Sequence, residues 1–217
     1  MARLVVFDLD GTLVDSARDI AASVNAALQT LAPGTVEVPL DRIVDFVGEG
    51  ARRLIERVLR HQALGLPPDE LLSVYLECYR ERLLDTTRLY PGVAEALAAL
   101  GPPGPALAVL TNKPGDMSRA ILAGLGVASR FARIWGAEDV PARKPDPAGL
   151  ASLLRELGIA AGEAWMVGDS ATDVKTARAA GVRVAGVSWG FHAAELRAAG
   201  PDRLLDRPGE IARLAAE

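Results

Sequence analysis

Short apolar runs recur along this chain, and the stretches between them carry apolar residues at helical spacing. Leu4-Val5-Val6-Phe7 is one such run, unbroken and β-branched, the pattern of a strand buried on both faces. Further strands are predicted at 106–110, 133–136, 164–167 and 182–187, with a last short one at 203–205. Helices are predicted between them. Pro91-Gly92 opens one that runs to residue 100, another covers 114–125 before Gly126, and a third covers 172–180 before Gly181. Asp146 reads as the N-cap of a further helix, with Pro147 at its first position and Gly158 closing it. The last helix spans 208–216. Strand and helix alternate, so the expected class is α/β: a doubly wound, Rossmann-like parallel sheet covered by helices on both faces.

Residues 16–86 follow a different pattern. Ser16 as N-cap, with Asp19 three residues on, predicts a helix over 17–31, which Pro33-Gly34 ends. Two more helices, 41–46 and 51–64, are joined by Val47-Gly48-Glu49-Gly50. Gly65 and Pro67-Pro68 break the pattern before an amphipathic helix over 69–84. This block offers no strand, so the first strand must pair with the later ones. The expected organisation is an α/β core of 1–15 and 87–217 with a small helical domain, 16–86, inserted in it. The Gly/Pro-rich turn at 101–105 is too short to be a domain linker.

Composition narrows the partners. Half of the 217 residues are apolar, 24% are charged, and the net charge is -4. With no basic cluster, neither nucleic acid nor an anionic membrane is an expected partner. The single cysteine, Cys78, excludes an intrachain disulfide and reads as a small buried hydrophobe. A thiol nucleophile needs a base, and only His61 and His192 are available. The chain enters a strand directly after Met1-Ala2-Arg3 and has no apolar stretch of membrane-spanning length, so a cytoplasmic protein is expected.

Polar residues gather at four predicted strand ends, where ligands bind in open α/β sheets. Asp8 and Asp10 follow the first strand, and residues two apart on an extended segment face the same way. Gly11 frees the chain to turn. Two carboxylates brought together repel unless a cation or a shared proton compensates, which suits a hard divalent ion. Thr111 and Asn112 follow the second strand, Lys144 lies in a loop before a helix, and Gly168-Asp169-Ser170-Ala171-Thr172-Asp173 follows another strand.

The segment Asp8-Leu9-Asp10-Gly11-Thr12-Leu13-Val14-Asp15-Ser16 resembles the opening signature of the haloacid dehalogenase-like hydrolase superfamily, and the other strand ends carry the residue types of its later motifs. The resemblance implies phosphoryl transfer through an aspartyl phosphate. Asp8 would be the nucleophile, and Asp10 would donate a proton to the leaving oxygen and later take one from water. A Mg²⁺ ion would be held by Asp8, Asp169 and the carbonyl of Asp10. Thr111 would bind phosphate oxygens, with Gly11, Thr12 and Asn112 on the substrate side. Lys144 would screen the charge on Asp8, and Asp173, beside Ser170, would orient bound water or Lys144. An acid at position 10 separates the chain from the dehalogenase branch. The absence of any lysine between 16 and 86 separates it from the branch that forms a Schiff base on phosphonates.

Residues 16–86 match the position of that superfamily's cap domain. Val47-Gly48-Glu49-Gly50-Ala51-Arg52-Arg53-Leu54 and Val187-Ser188-Trp189-Gly190-Phe191 resemble segments of bacterial phosphoglycolate phosphatases. On that likeness Gly48, Glu49, Gly50 and Arg52 (or Arg53) would meet the substrate, with helix amides and a guanidinium suited to a carboxylate. Glu49 is unfavourable toward an anion. The expected activity is Mg²⁺-dependent hydrolysis of a small phosphorylated acid, 2-phosphoglycolate, by a monomer or homodimer. The alternatives are a pyrophosphatase, a broad sugar-phosphate phosphatase or mutase, or a phospho-accepting signalling module. No phosphate-binding glycine loop of a nucleotide-binding protein occurs.

Overall fold

The computed structural model describes residues 1–101 and 103–216; Pro102, inside the expected 101–105 turn, and Glu217, the end of the expected core, lie outside the described residues. The chain runs β1 (Leu4–Phe7), β2 (Val14–Asp15), α1 (Ala17–Leu31), α2 (Leu40–Phe46), α3 (Ala51–His61), α4 (Pro68–Glu81) and β3 (Arg88–Leu89). It continues through α5 (Val93–Ala99), β4 (Ala106–Leu110), α6 (Gly115–Gly124), β5 (Arg133–Trp135), α7 (Ala148–Leu157) and β6 (Ala164–Gly168). Then follow α8 (Ala171–Ala179), β7 (Arg183–Val187), α9 (Ala193–Ala199), β8 (Arg203–Leu205) and a closing 3-10 segment, Pro208–Ala216.

Six strands pair in parallel in the order β5-β4-β1-β6-β7-β8. The central strand, β1, is buried throughout, as an unbroken apolar run requires. Its residues alternate between faces. Val5 and Phe7 join Leu107, Val109, Trp165 and Val167 in one core layer, beneath residues of α5 and α6 and the closing segment. Leu4 and Val6 join Ala108, Leu110 and Met166 in the other, under α7 and α8. Phe7 pairs with Val109 on one side and Val167 on the other. The next residues of all three strands, Asp8, Leu110-Thr111 and Gly168-Asp169, therefore emerge together at one edge.

A third cluster is built mainly from α1 to α4, including Ile20, Val24, Ile55, Val58, Leu71 and Tyr79, and takes in Met117 of α6. The chain enters and leaves the helical block, residues 16–86, through the short antiparallel pair β2–β3, Val14 opposite Leu89. That pair was not anticipated, because two residues per strand carry no periodicity. Ser16 precedes α1 but makes no capping hydrogen bond; its hydroxyl donates to Asp10 Oδ1 at 2.5 Å. Asp19 is likewise no capping-box partner. It accepts from the backbone N–H and hydroxyl groups of both Thr86 and Thr87. Other differences are small. Helix α7 begins after Pro147, so Asp146 bonds Ala148 N–H from one residue further out. Helices α3 and α4 end a turn early, α9 was not foreseen, and the last segment is 3-10. Cys78 is half-buried rather than buried.

Candidate active site

Asp8 continues β1 by one more ladder bond, its N–H donating to Val167 O at 2.9 Å. Its buried carboxylate lies 2.9 Å from Lys144 Nζ, an ion pair in which Asp8 Oδ1 nonetheless makes no hydrogen bond of proper direction. Lys144 Nζ donates instead to Asp173 Oδ1 at 2.7 Å. Asp173 is fixed by its place in α8. It is the third residue after Ser170, and the two exchange hydrogen bonds as a capping box, Ser170 Oγ donating to Asp173 Oδ2 at 2.6 Å. Asp169 Oδ2 accepts from Phe191 N–H at 2.7 Å. Oxygens of Asp8, Asp169 and Asp173 all lie within 4.8 Å of one another. Gly11 and Gly190 make this packing possible: a Cβ on Gly11, whose φ is 78°, would stand 2.1 Å from Asp169 Oδ2, and one on Gly190 would stand 2.3 Å from Asp169 Cβ.

The electrostatics follow from that crowding. Burial pushes the Asp8 carboxyl up to about 6; Lys144 opposes this and Asp173 adds to it. Burial, then the charges of Asp173 and Asp8, lift Asp169 well above the usual carboxylate range. Burial works against the Lys144 ammonium, yet the charges of Asp173 and Asp8 outweigh it and hold its pKa above the ordinary value. One lysine cannot balance three buried carboxyl groups once they ionise, and that is the state a cation favours. Hard oxygen donors in that state suit a divalent cation such as Mg²⁺, with Asp8 and Asp169 the natural ligands because Asp173 is already committed to Lys144 and Ser170.

Asp10 sits on the other side of the same crevice. Lys113 Nζ donates to Asp10 Oδ1 and Oδ2 at 3.0 and 3.1 Å and to the Tyr79 hydroxyl at 2.5 Å. Lys113 was missed at the sequence level, although it lies two residues beyond Thr111. Thr111 is buried; its N–H extends the sheet to Trp135 O, and its Oγ1 accepts from Lys113 N–H. Asn112 Nδ2 donates to Lys144 O at 2.9 Å and, across to the helical block, to Gly48 O at 3.0 Å.

A cavity opens between these strand ends and the helical block. Asp8, Asp10, Thr111, Asn112 and Asp169 meet there from the strand ends, and Gly48 and Gly50 from the helical block. Ile20, Leu54 and Tyr75 make part of the wall apolar. His192, also unforeseen as a lining residue, bonds Val47 O through Nε2 at 3.1 Å. Four expected residues lie elsewhere. Arg52 points out of the cavity, held by Glu56 on its own helix and by Asp69 at the start of α4. Glu49 pairs with Arg57, which removes its expected repulsion toward an anion. Gly11 lies behind Asp169, and Thr12 is buried away from the cavity, its carbonyl accepting from Trp189 Nε1 at 3.1 Å.

The fold and this acid-rich crevice define a hydrolase class that comparison with known proteins identifies. The chain belongs to the haloacid dehalogenase-like hydrolases, whose family model matches residues 5–187. A phosphoglycolate phosphatase of Mesorhizobium japonicum is 39% identical over 205 residues, covering 93% of this chain and 89% of that protein. One from Rhodospirillum rubrum is 42% identical over 200 residues, covering 88% and 81%. The crystal structure of a predicted phosphoglycolate phosphatase from Haemophilus somnus superposes with a TM-score of 0.90 at 31% identity, covering 98% of this chain and 97% of that one. Within its family the chain is thus phosphoglycolate phosphatase-like, a phosphoric monoester hydrolase.

Proposed function

We propose that this protein is a Mg²⁺-dependent phosphatase that hydrolyses a small phosphate monoester, 2-phosphoglycolate, through an aspartyl phosphate on Asp8. The observation that carries this reading is the setting of Asp8: a buried carboxylate at the end of the central strand, paired with Lys144, facing Asp169 and sharing a cavity with Asp10. Asp8 attacks phosphorus as the bond to the leaving oxygen breaks. Asp10 gives that oxygen its proton, then takes one from the water that releases phosphate. Lys144 and the Thr111 segment steady the transferring oxygens. Mg²⁺, held by Asp8 and Asp169 when bound, supplies positive charge against the phosphoryl group. The α1–α4 block is read as a cap, residues 16–86, over a core of 1–15 and 87–217; its Gly48–Gly50 turn and Tyr75 help to close the cavity against water.

The substrate assignment is supported by the curated phosphoglycolate phosphatases similar to this chain over most of its length. The position of Arg52 removes one expected carboxylate contact, and the apolar wall at Ile20 and Leu54 favours a second reading with a wider range of small phosphate esters. Phosphate release from 2-phosphoglycolate, pyrophosphate and several sugar phosphates, with Mg²⁺ or with EDTA, distinguishes them. Fast Mg²⁺-dependent release from phosphoglycolate alone is expected. Slow release from it beside fast release from another ester would move the substrate and keep the chemistry.

A further inference from the structure

Lys113 is buried in the cavity wall, and the chemistry above gives it no task. Its ammonium has three acceptors: both oxygens of Asp10, at 3.0 and 3.1 Å, and the Tyr79 hydroxyl at 2.5 Å. An ammonium carries three N–H donors, so none is left over for an anionic group of the substrate. A carboxylate left to itself swings freely about its terminal torsion. Here Lys113 spans both oxygens while Ser16 Oγ donates to one of them at 2.5 Å, and that torsion is fixed. The lysine is fixed in turn. Its Nζ lies 4.4 Å from the centroid of the Tyr79 ring as well as on its hydroxyl, and Tyr79 stacks on Tyr75 at 5.7 Å with 9° between the rings. Both tyrosines come from α4 of the helical block, whereas Lys113 and Asp10 come from the sheet edge.

We propose that Lys113 is a positioning residue for Asp10: it aims the carboxyl group at the leaving oxygen, and Tyr79 holds Lys113 in place. The proposal rests on the reading of Asp10 as the proton donor. It adds no step to the reaction. It says what gives the donor its direction, and that part of the support reaches in from the helical block.

Leaving groups test it. Alkyl phosphates expel a strongly basic oxygen that needs the proton, whereas 4-nitrophenyl phosphate expels a weakly basic phenolate that does not. Lys113→Met, Tyr79→Phe and Asp10→Asn are compared with the unaltered protein by kcat/KM on 2-phosphoglycolate, glycerol phosphate and 4-nitrophenyl phosphate, with thermal melts alongside. Lys113→Met is expected to lose about 100-fold on both alkyl esters and under about 5-fold on the aryl ester, within the usual range for general acid catalysis. Tyr79→Phe, nearly isosteric, is expected to show the same pattern at about 10-fold, and it carries the test if Lys113→Met does not fold. Equal losses by Lys113→Met on all three esters, or a loss confined to a higher KM for 2-phosphoglycolate, would overturn the proposal. Asp10→Asn separates the two ideas: if it too fails to discriminate alkyl from aryl esters, the reading of Asp10 fails first.

Discussion

Asp19 should be the most costly single polar side chain to remove outside the catalytic groups. It is 2% exposed, and its oxygens accept from Thr87 N–H at 2.8 Å, Thr87 Oγ1 at 2.7 Å, Thr86 N–H at 2.9 Å and Thr86 Oγ1 at 2.5 Å. These bonds tie the start of α1 to the segment that returns the chain to the core. In Asp19→Ala the two hydroxyls can rotate to other partners, but two backbone donors cannot, and each stranded buried donor costs about 1–3 kcal/mol. Thr86 is partly open to water, so the total expected loss is about 3–4 kcal/mol, or roughly 10 °C in Tm for a chain of this size. Asp19→Asn keeps one acceptor oxygen and should lose about half as much. Burial alone would raise the Asp19 carboxyl, but the donors of Thr86 and Thr87 outweigh it and hold the pKa below the ordinary 3.8. A depressed carboxyl stabilises fully above its unfolded value and loses that contribution as pH falls through the folded one. The gap between unaltered protein and Asp19→Ala should therefore be widest near neutral pH and shrink as pH drops below 3.8. Urea titrations at pH 7 and pH 3 measure it. A neutral-pH loss under about 1 kcal/mol, or a gap that widens in acid, would refute this reasoning.

Lys144→Met leaves Asp8 and Asp173 without their shared cation and should cut kcat by about 1000-fold, the upper range for losing one preorganised electrostatic group. Gly190→Ala sets a methyl 2.3 Å from Asp169 Cβ and 2.5 Å from Gly11 O, both in the tightest part of the site; a loss of about 2 kcal/mol in urea titration is expected, with weaker Mg²⁺ binding. If the proposed function holds, Mg²⁺ must displace protons that burial favours on Asp8 and Asp169. Binding should accordingly release protons and weaken as pH falls through about 6, which calorimetry in buffers of different ionisation enthalpy detects.

The parallel sheet was legible because buried strands write themselves as unbroken apolar runs. β4 lies where 106–110 was predicted, and β1 has a later strand on each side, as its burial requires. The strand-end groups were legible for a related reason: once the sheet is parallel, Asp8, Thr111 and Asp169 must emerge at one edge. Side-chain direction was not legible. Nothing in the spacing of Arg52 foretold that Glu56 and Asp69 would draw it outward, since Asp69 is brought near only by the packing of α3 on α4. Ser16 and Asp19 had the form of a capping box, but tertiary partners took both side chains. Lys113 could have been found from Thr111, two residues earlier at the same strand end, where the chain turns back so that the Lys113 N–H meets Thr111 Oγ1. Tyr79 could not, because its role depends on how the helical block lies over the sheet.

The most direct test of the account is to look for the phosphoryl group on the enzyme. The protein is mixed with Mg²⁺ and excess 2-phosphoglycolate, quenched in acid within the first turnovers, digested and analysed by mass spectrometry, with Asp8→Asn treated in parallel. A phosphorylated peptide modified on Asp8 is expected, absent from the variant and from samples with EDTA. Rapid phosphate release with no phosphopeptide, or turnover that survives in Asp8→Asn, would contradict nucleophilic catalysis by Asp8.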